Sequence, residues 1–306
     1  MRIFLLCLVF WGCIACQSEH PQNKSFTIVT TTSFLADGIR LLVDSTIQVK
    51  SLMGPGIDPH LFKPGPKELA QLRSADLVIA NGLHLEGRME EVLRSFKREK
   101  PVLLIGDCIS PQQLILYGEA KTPDPHIWMD PLLWADAFYC LPDTLARLTG
   151  LSDSLVWRNY RQFKDSLTSL HQWTQSQLET VPVQSRWLVT AHDAFGYFGR
   201  AFHWQVKGLQ GISTAGDIGL QEVNSLINLL VSHQIPALFT ESAVSARNLE
   251  AVRAGAESQG WKVVWGKSLY TDAPGNYNTP EGSYFGMFRY NVLAISQALN
   301  TKATNP

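Results

Sequence analysis

The chain has 306 residues, 45% of them hydrophobic and 17% charged, with a formal net charge of −1. That length suits two domains or one large one, and the composition is that of a globular protein with a sizeable core. The near-neutral charge gives no footing for a polyanion, so no nucleic acid is expected as a partner, and no interior run approaches a membrane-spanning length.

The N-terminus stands apart. Arg2 precedes an apolar run over residues 3–11 and the small-residue stretch Gly12-Cys13-Ile14-Ala15-Cys16. Residues 1–15 read as a secretory signal peptide. Ala15-Cys16, followed by polar Gln17-Ser18-Glu19-His20, is similar to a bacterial lipoprotein cleavage site. Cys16 would then be the lipidated first residue and residues 16–25 a tether. Cys13 stands where leucine is more usual, and plain signal-peptidase cleavage nearby is the rival reading. The mature protein is therefore expected outside the cytoplasmic membrane, in the periplasm or at the cell surface, held by a lipid anchor. In the body only Cys108 and Cys140 remain, either paired or as two buried thiols. With no Cys-x-x-Cys in the mature chain, a thiolate metal site is not expected.

From residue 26 onward strand and helix alternate. Residues 26–31 are β-branched and predict a strand, with Thr32 and Ser33 able to cap a helix over 34–43. A strand over 47–53 runs into the turn-rich loop Gly54-Pro55-Gly56-Ile57-Asp58-Pro59-His60. Pro66 opens a helix in its favoured first-turn place. Residues 77–80 predict a buried parallel strand, 86–98 an amphipathic helix, 102–105 a strand and about 133–148 a helix. Over 152–179 apolar residues recur at helical steps with no proline or glycine. At 1.5 Å per residue that is a helix of roughly 40 Å, read as a strut between lobes.

Beyond Pro182 the alternation restarts. Strands are expected over 187–190, 205–208, 237–240 and 262–264, and helices over 195–202, 220–232, 246–259 and 283–299. The expected fold is α/β, with two lobes, each a mostly parallel sheet flanked by helices, joined by a single long helix. Residues 26–150 form the N-terminal lobe, 151–182 the connecting helix and 183–306 the C-terminal lobe. Such a pair sets a cleft at the carboxyl ends of its strands.

Loops after strands carry the chemistry of such a fold. His60 follows the second strand, His126 follows the fourth after an intervening segment, His192 follows the strand at 187–190, and Asp272 follows the strand at 262–264. His126 lies in Asp124-Pro125-His126-Ile127-Trp128-Met129-Asp130-Pro131, stiffened by two Asp-Pro steps, and the tripeptide Asp-Pro-His recurs at Asp58-Pro59-His60. Three imidazoles and a carboxylate make a complete nitrogen and oxygen set for a first-row divalent metal, and with two from each half the ion would bridge the lobes. Glu241, at a strand end, is a candidate to orient one imidazole, against a capping or inter-loop role. His84 follows a strand too and is a second candidate near the metal.

These motifs together resemble those of the zinc and manganese receptors of the TroA/ZnuA-like family of ABC-transporter solute-binding proteins. The stretches that carry the likeness are 54–61, 81–86, 124–131, 190–198, 207–211 and Glu281-Gly282-Ser283-Tyr284-Phe285-Gly286-Met287 with Asn291. The resemblance covers nearly all of residues 26–300. It implies a metal at the lobe interface, with the family's three histidines falling on His60, His126 and His192 and its carboxylate on Asp272. Manganese-selective members often carry glutamate where this chain has His192, which favours Zn2+. The histidine-rich loop of many zinc receptors is missing from the short segment 110–123, which removes one cue for it.

The function expected is thus a non-enzymatic lipoprotein receptor, a monomer, that carries Zn2+, with Mn2+ as the alternative cargo, to an ABC permease. A zinc hydrolase is the competing class, but it would keep an open coordination position and show a nucleophile or His-Glu-x-x-His motif. A siderophore- or corrinoid-binding receptor of similar fold would not need paired Asp-Pro-His motifs.

Overall fold

The computed structural model describes residues 25–300; the leader, Cys16 and the tether up to residue 24 lie outside the described residues. Strand β1 (Thr27–Thr30) leads into helix α1 (Ser33–Leu42), whose first turn is capped by the Thr32 hydroxyl accepting from Leu35 N–H. Then follow β2 (Gln48–Ser51), α2 (Pro66–Ser74), β3 (Leu77–Ala80), α3 (Glu90–Phe96) and β4 (Val102–Leu104). The four strands form one parallel sheet in the order β2–β1–β3–β4. β1 and β3 are buried on both faces, as expected of apolar and β-branched runs covered by helices on each side. A short antiparallel hairpin, β5 (Leu116–Tyr117) with β6 (Thr122–Pro123), sits before the His126 loop.

The helix expected over 133–148 is two helices, α4 (Pro131–Ala137) and α5 (Leu141–Thr149). Pro142 breaks it: proline offers no N–H to the carbonyl of Phe138 and its ring would strike that turn. The helix expected over 86–98 starts with a tight turn at Gly87–Met89, and regular helix begins at Glu90. Glu86 faces inward and is buried, which takes it out of the helical surface. Cys108 and Cys140 form a disulfide. Cys140 is exposed and Cys108 half-buried, so the reading as two buried thiols is corrected.

Helix α6 (Asp153–Leu178) is the strut, 26 residues long. Its buried stripe includes Val156, Tyr160, Phe163, Leu167 and Leu170, spaced by three and four residues as one helix face requires. The second lobe holds β7 (Trp187–His192), α7 (Gly196–Phe202), β8 (Gln205–Gln210), α8 (Leu220–Ser232), β9 (Ala237–Leu238), α9 (Arg247–Ser258), β10 (Val264–Trp265) and α10 (Tyr284–Leu299). β7 pairs in parallel with β8, and β9 with β10. A parallel bridge from Thr190 to Phe239 joins the two pairs. The strand order is therefore β8–β7–β9–β10, the same as in the first lobe.

In both lobes the first strand is central, with the second on one side and the third and fourth on the other. The direction of winding reverses at that strand, which opens a crevice beyond its carboxyl end. The two crevices face each other. α6 packs against α1, α4, α5 and α10, and Tyr284 of α10 reaches Phe34, Trp128 and Trp134 of the first lobe. One apolar core runs from Ile28 and Leu77 through Phe163 and Leu167 to Leu188, Phe198 and Phe239. Among the described residues, no helix is long and apolar enough to cross a membrane.

Candidate metal centre

Each Asp-Pro-His tripeptide closes the same small turn. The Asp58 carboxylate accepts the main-chain N–H of His60 at 2.8 Å, and the Asp124 carboxylate that of His126 at 2.9 Å. Aspartate closing a bond to the N–H two residues on, with proline between, holds the histidine backbone before any tertiary contact is made. The His126 loop is fixed further by Asn81, whose amide donates to the Pro125 carbonyl, and by Tyr197, whose hydroxyl donates to the Asp124 carbonyl. Asp130 then caps α4 through the N–H of Leu132 at 3.0 Å.

From the second lobe, His192 is the last residue of β7 and points into the crevice that this strand opens. Its main-chain N–H donates to Glu241 at 2.8 Å. β8 can run close beside it because residue 208 is glycine; a Cβ there would strike the His192 carbonyl carbon. Asp272 follows β10 in a loop clamped from both lobes. Trp128 Nε1–H donates to the Thr271 carbonyl at 2.8 Å, and the Thr271 hydroxyl donates to Glu241 at 2.7 Å.

These elements bring His60, His126, His192 and Asp272 together, all four buried, with donor atoms within 4.8 Å of one another. Nε2 of His126 lies 3.3 Å from Nε2 of both His60 and His192. The Asp272 carboxylate oxygens lie 3.6, 3.5 and 3.3 Å from Nε2 of His60, His126 and His192. A tetrahedral ion with bonds of about 2.1 Å spaces its donors about 3.4 Å apart. The five separations just given lie close to that figure. Both Asp272 oxygens are buried, and the groups that face them are the three imidazole Nε2 atoms. A carboxylate in that position calls for a cation.

Charge is arranged around the rings as well as among them. Asp124 Oδ1 lies 2.7 Å from Nδ1 of His126, and Glu241 Oε2 lies 2.5 Å from Nδ1 of His192. Such contacts leave Nε2 as the ligating nitrogen. Burial alone would pull His126 down, but Asp124 and Asp272 outweigh it and hold its pKa at about 9. His192 is likewise pushed down by burial and carried well above its usual value by Glu241 and Asp272. For His60 burial wins, aided by the two neighbouring imidazoles against Asp272, and its pKa falls to about 3. Burial raises Asp272, yet the three histidines hold it well below the usual carboxylate range.

The chain matches the family described as "Zinc-uptake complex component A periplasmic" over residues 28–298. The chain belongs to this family. Among curated relatives, it is 40% identical to "Manganese-binding lipoprotein MntA" of Bacillus subtilis over 288 residues, 94% of each chain. It is 35% identical to "Zinc-binding protein TroA" of Treponema pallidum over 272 residues, 89% of this chain and 88% of that one. The solved structure of the periplasmic zinc-binding protein TroA from Treponema pallidum superposes with a TM-score of 0.86, at 35% identity, covering 90% of this chain and 99% of the other. The protein is a non-enzymatic receptor, acting outside the cytoplasmic membrane, whose buried site binds a divalent metal for delivery to an ABC permease.

Of the two residues expected around the metal ligands, Glu241 does touch one of them. His84 does not: it is exposed, with its Nδ1 2.6 Å from Glu90. Its backbone is left-handed, and its side chain lines a cleft that His60 also lines. The ring contact of Asp124 was not foreseen, nor was Glu86. The buried Glu86 carboxylate accepts the Thr31 hydroxyl and the N–H groups of Asn81 and Gly82, and so fixes the turn on which Asn81 braces the His126 loop. The visible signal for Glu86 was its place in a turn-rich stretch after a strand.

Proposed function

We propose that this receptor carries Zn2+ as cargo, held by His60, His126, His192 and Asp272. The observation that supports this most is the buried Asp272 carboxylate, faced by three Nε2 atoms at 3.3 to 3.6 Å. In the divalent affinity order, zinc binds such a nitrogen-rich set more tightly than manganese. Mn2+ is the second reading, favoured by the manganese named for the Bacillus subtilis relative and by the two Asp272 oxygens, which offer a fifth donor. Residues 26–150 and 183–306 act as the two jaws and 151–182 as the strut. The leader of residues 1–15 is removed, Cys16 is lipidated, and the mature protein works as a membrane-tethered monomer. Calorimetric titration of the purified protein with each ion tests the cargo. Zn2+ is expected to bind more tightly. Manganese binding more tightly would leave the second reading, and affinities weaker than about 1 μM for both would overturn the proposal.

A further inference from the structure

The turn that Glu86 and Asn81 fix also carries His84. Gly82, Leu83 and His84 stand in succession at φ of 76°, 54° and 66°. Glycine adopts the left-handed region freely and histidine tolerates it, while a leucine there is strained. The turn presents the His84 ring, 65% exposed, with Glu90 Oε1 2.6 Å from its Nδ1. The same arrangement recurs inside the site, where Asp124 Oδ1 lies 2.7 Å from Nδ1 of His126. A carboxylate on Nδ1 sets the tautomer, fixes the ring and makes Nε2 a better ligand. His84 is thus a second imidazole prepared in this way, but placed outside the buried cluster.

Its location gives that preparation a use. A cleft of about 270 Å3 runs between the lobes, lined by His84, Tyr117 and Pro125 on one side and Ile212 and Ser213 on the other. Of the four buried ligands, His60 is the one that lines it. At roughly 30 Å3 per water, the cleft has room for an ion with its hydration shell. An ion on its way to or from the cluster must give up that shell in an otherwise largely apolar passage.

We propose that His84, oriented by Glu90, is a transient ligand at the mouth of the site, taking a divalent ion on Nε2 before handing it to His60 and receiving it on the way out. This rests on the reading of the buried cluster as the cargo site. A relay lowers the barrier in both directions and leaves the end states alone. The test is stopped-flow association of Zn2+ with the purified wild-type protein and with H84A and E90Q, together with release of bound Zn2+ to excess chelator. In H84A both the association and the release rate are expected to fall by about tenfold, with the dissociation constant unchanged, and E90Q should shift both rates in the same direction. Rates equal to wild type in H84A overturn the relay while leaving the cargo reading intact. Faster release at unchanged association also overturns it, since that is the signature of a merely structural pair. A wild-type protein that binds neither Zn2+ nor Mn2+ overturns the cargo reading itself.

Discussion

At the scale of the residue, the site is three imidazoles set among the carboxylates of Asp124, Glu241 and Asp272, all buried. In the metal-free protein, His126 keeps a proton up to about pH 9 and His192 beyond its ordinary value, while His60 is neutral down to about 3. Near neutrality a dication must therefore displace the protons on His126 and His192, so affinity should rise with pH. The limit is about a hundredfold per pH unit for two protons. Calorimetry in buffers of different ionisation enthalpy will count them, and an affinity flat between about pH 6 and about pH 8 would contradict the assignment. Glu241→Gln removes the charge beside His192 and is expected to weaken metal binding by about 10- to 100-fold. Wild-type affinity in that variant would mean that Glu241 serves only to tie down Thr271 and the His192 main chain. The four ligands were legible in the sequence because each lies in a loop after a strand, where this fold concentrates its chemistry. The ring contact of Asp124 was not, since the Asp-Pro-His spacing speaks to the main-chain turn and the direction of an imidazole is decided by packing.

At the scale of the element, the His60 turn is shared between lobes. Asp58 accepts the His60 N–H with one oxygen and the Thr214 hydroxyl, from the loop after β8, at 2.6 Å with the other. Opening the lobes breaks the second bond and loosens the first. Thr214→Val keeps the shape and removes the donor. It should speed metal release to a chelator several-fold, with association little changed; a release rate equal to wild type would show that the bond carries no closing force. Element types and order were readable from periodicity because the buried strands are short apolar runs and α6 is long and uninterrupted. The break between α4 and α5 was signalled by Pro142 but masked by the apolar residues on either side. The short β9 and β10 arise because pairing in the second sheet continues only as isolated bridges at Phe239 and Glu241, a tertiary outcome that strand propensity does not foretell. The Cys108–Cys140 bridge needed proximity, which spacing alone does not supply.

At the scale of the molecule, the strut and its neighbours leave little freedom. α6 packs along both lobes, α10 returns across it to reach the first lobe, and the apolar core continues through the waist. Packed interiors shift between discrete arrangements and do not bend continuously. Metal-free and metal-loaded protein are accordingly expected to give nearly superimposable small-angle scattering profiles, with differences confined to the loops around Asp58, Thr214 and Asp272. A clear contraction on loading would refute the stiff waist. A carrier whose outline barely changes with its load poses a problem of discrimination for the permease. With so little change of shape, vacant copies would dock on nearly the same surface as full ones and compete for the same gate. Uptake then follows the fraction of carriers that are loaded, and overproducing the receptor when metal is scarce would slow transport instead of helping it.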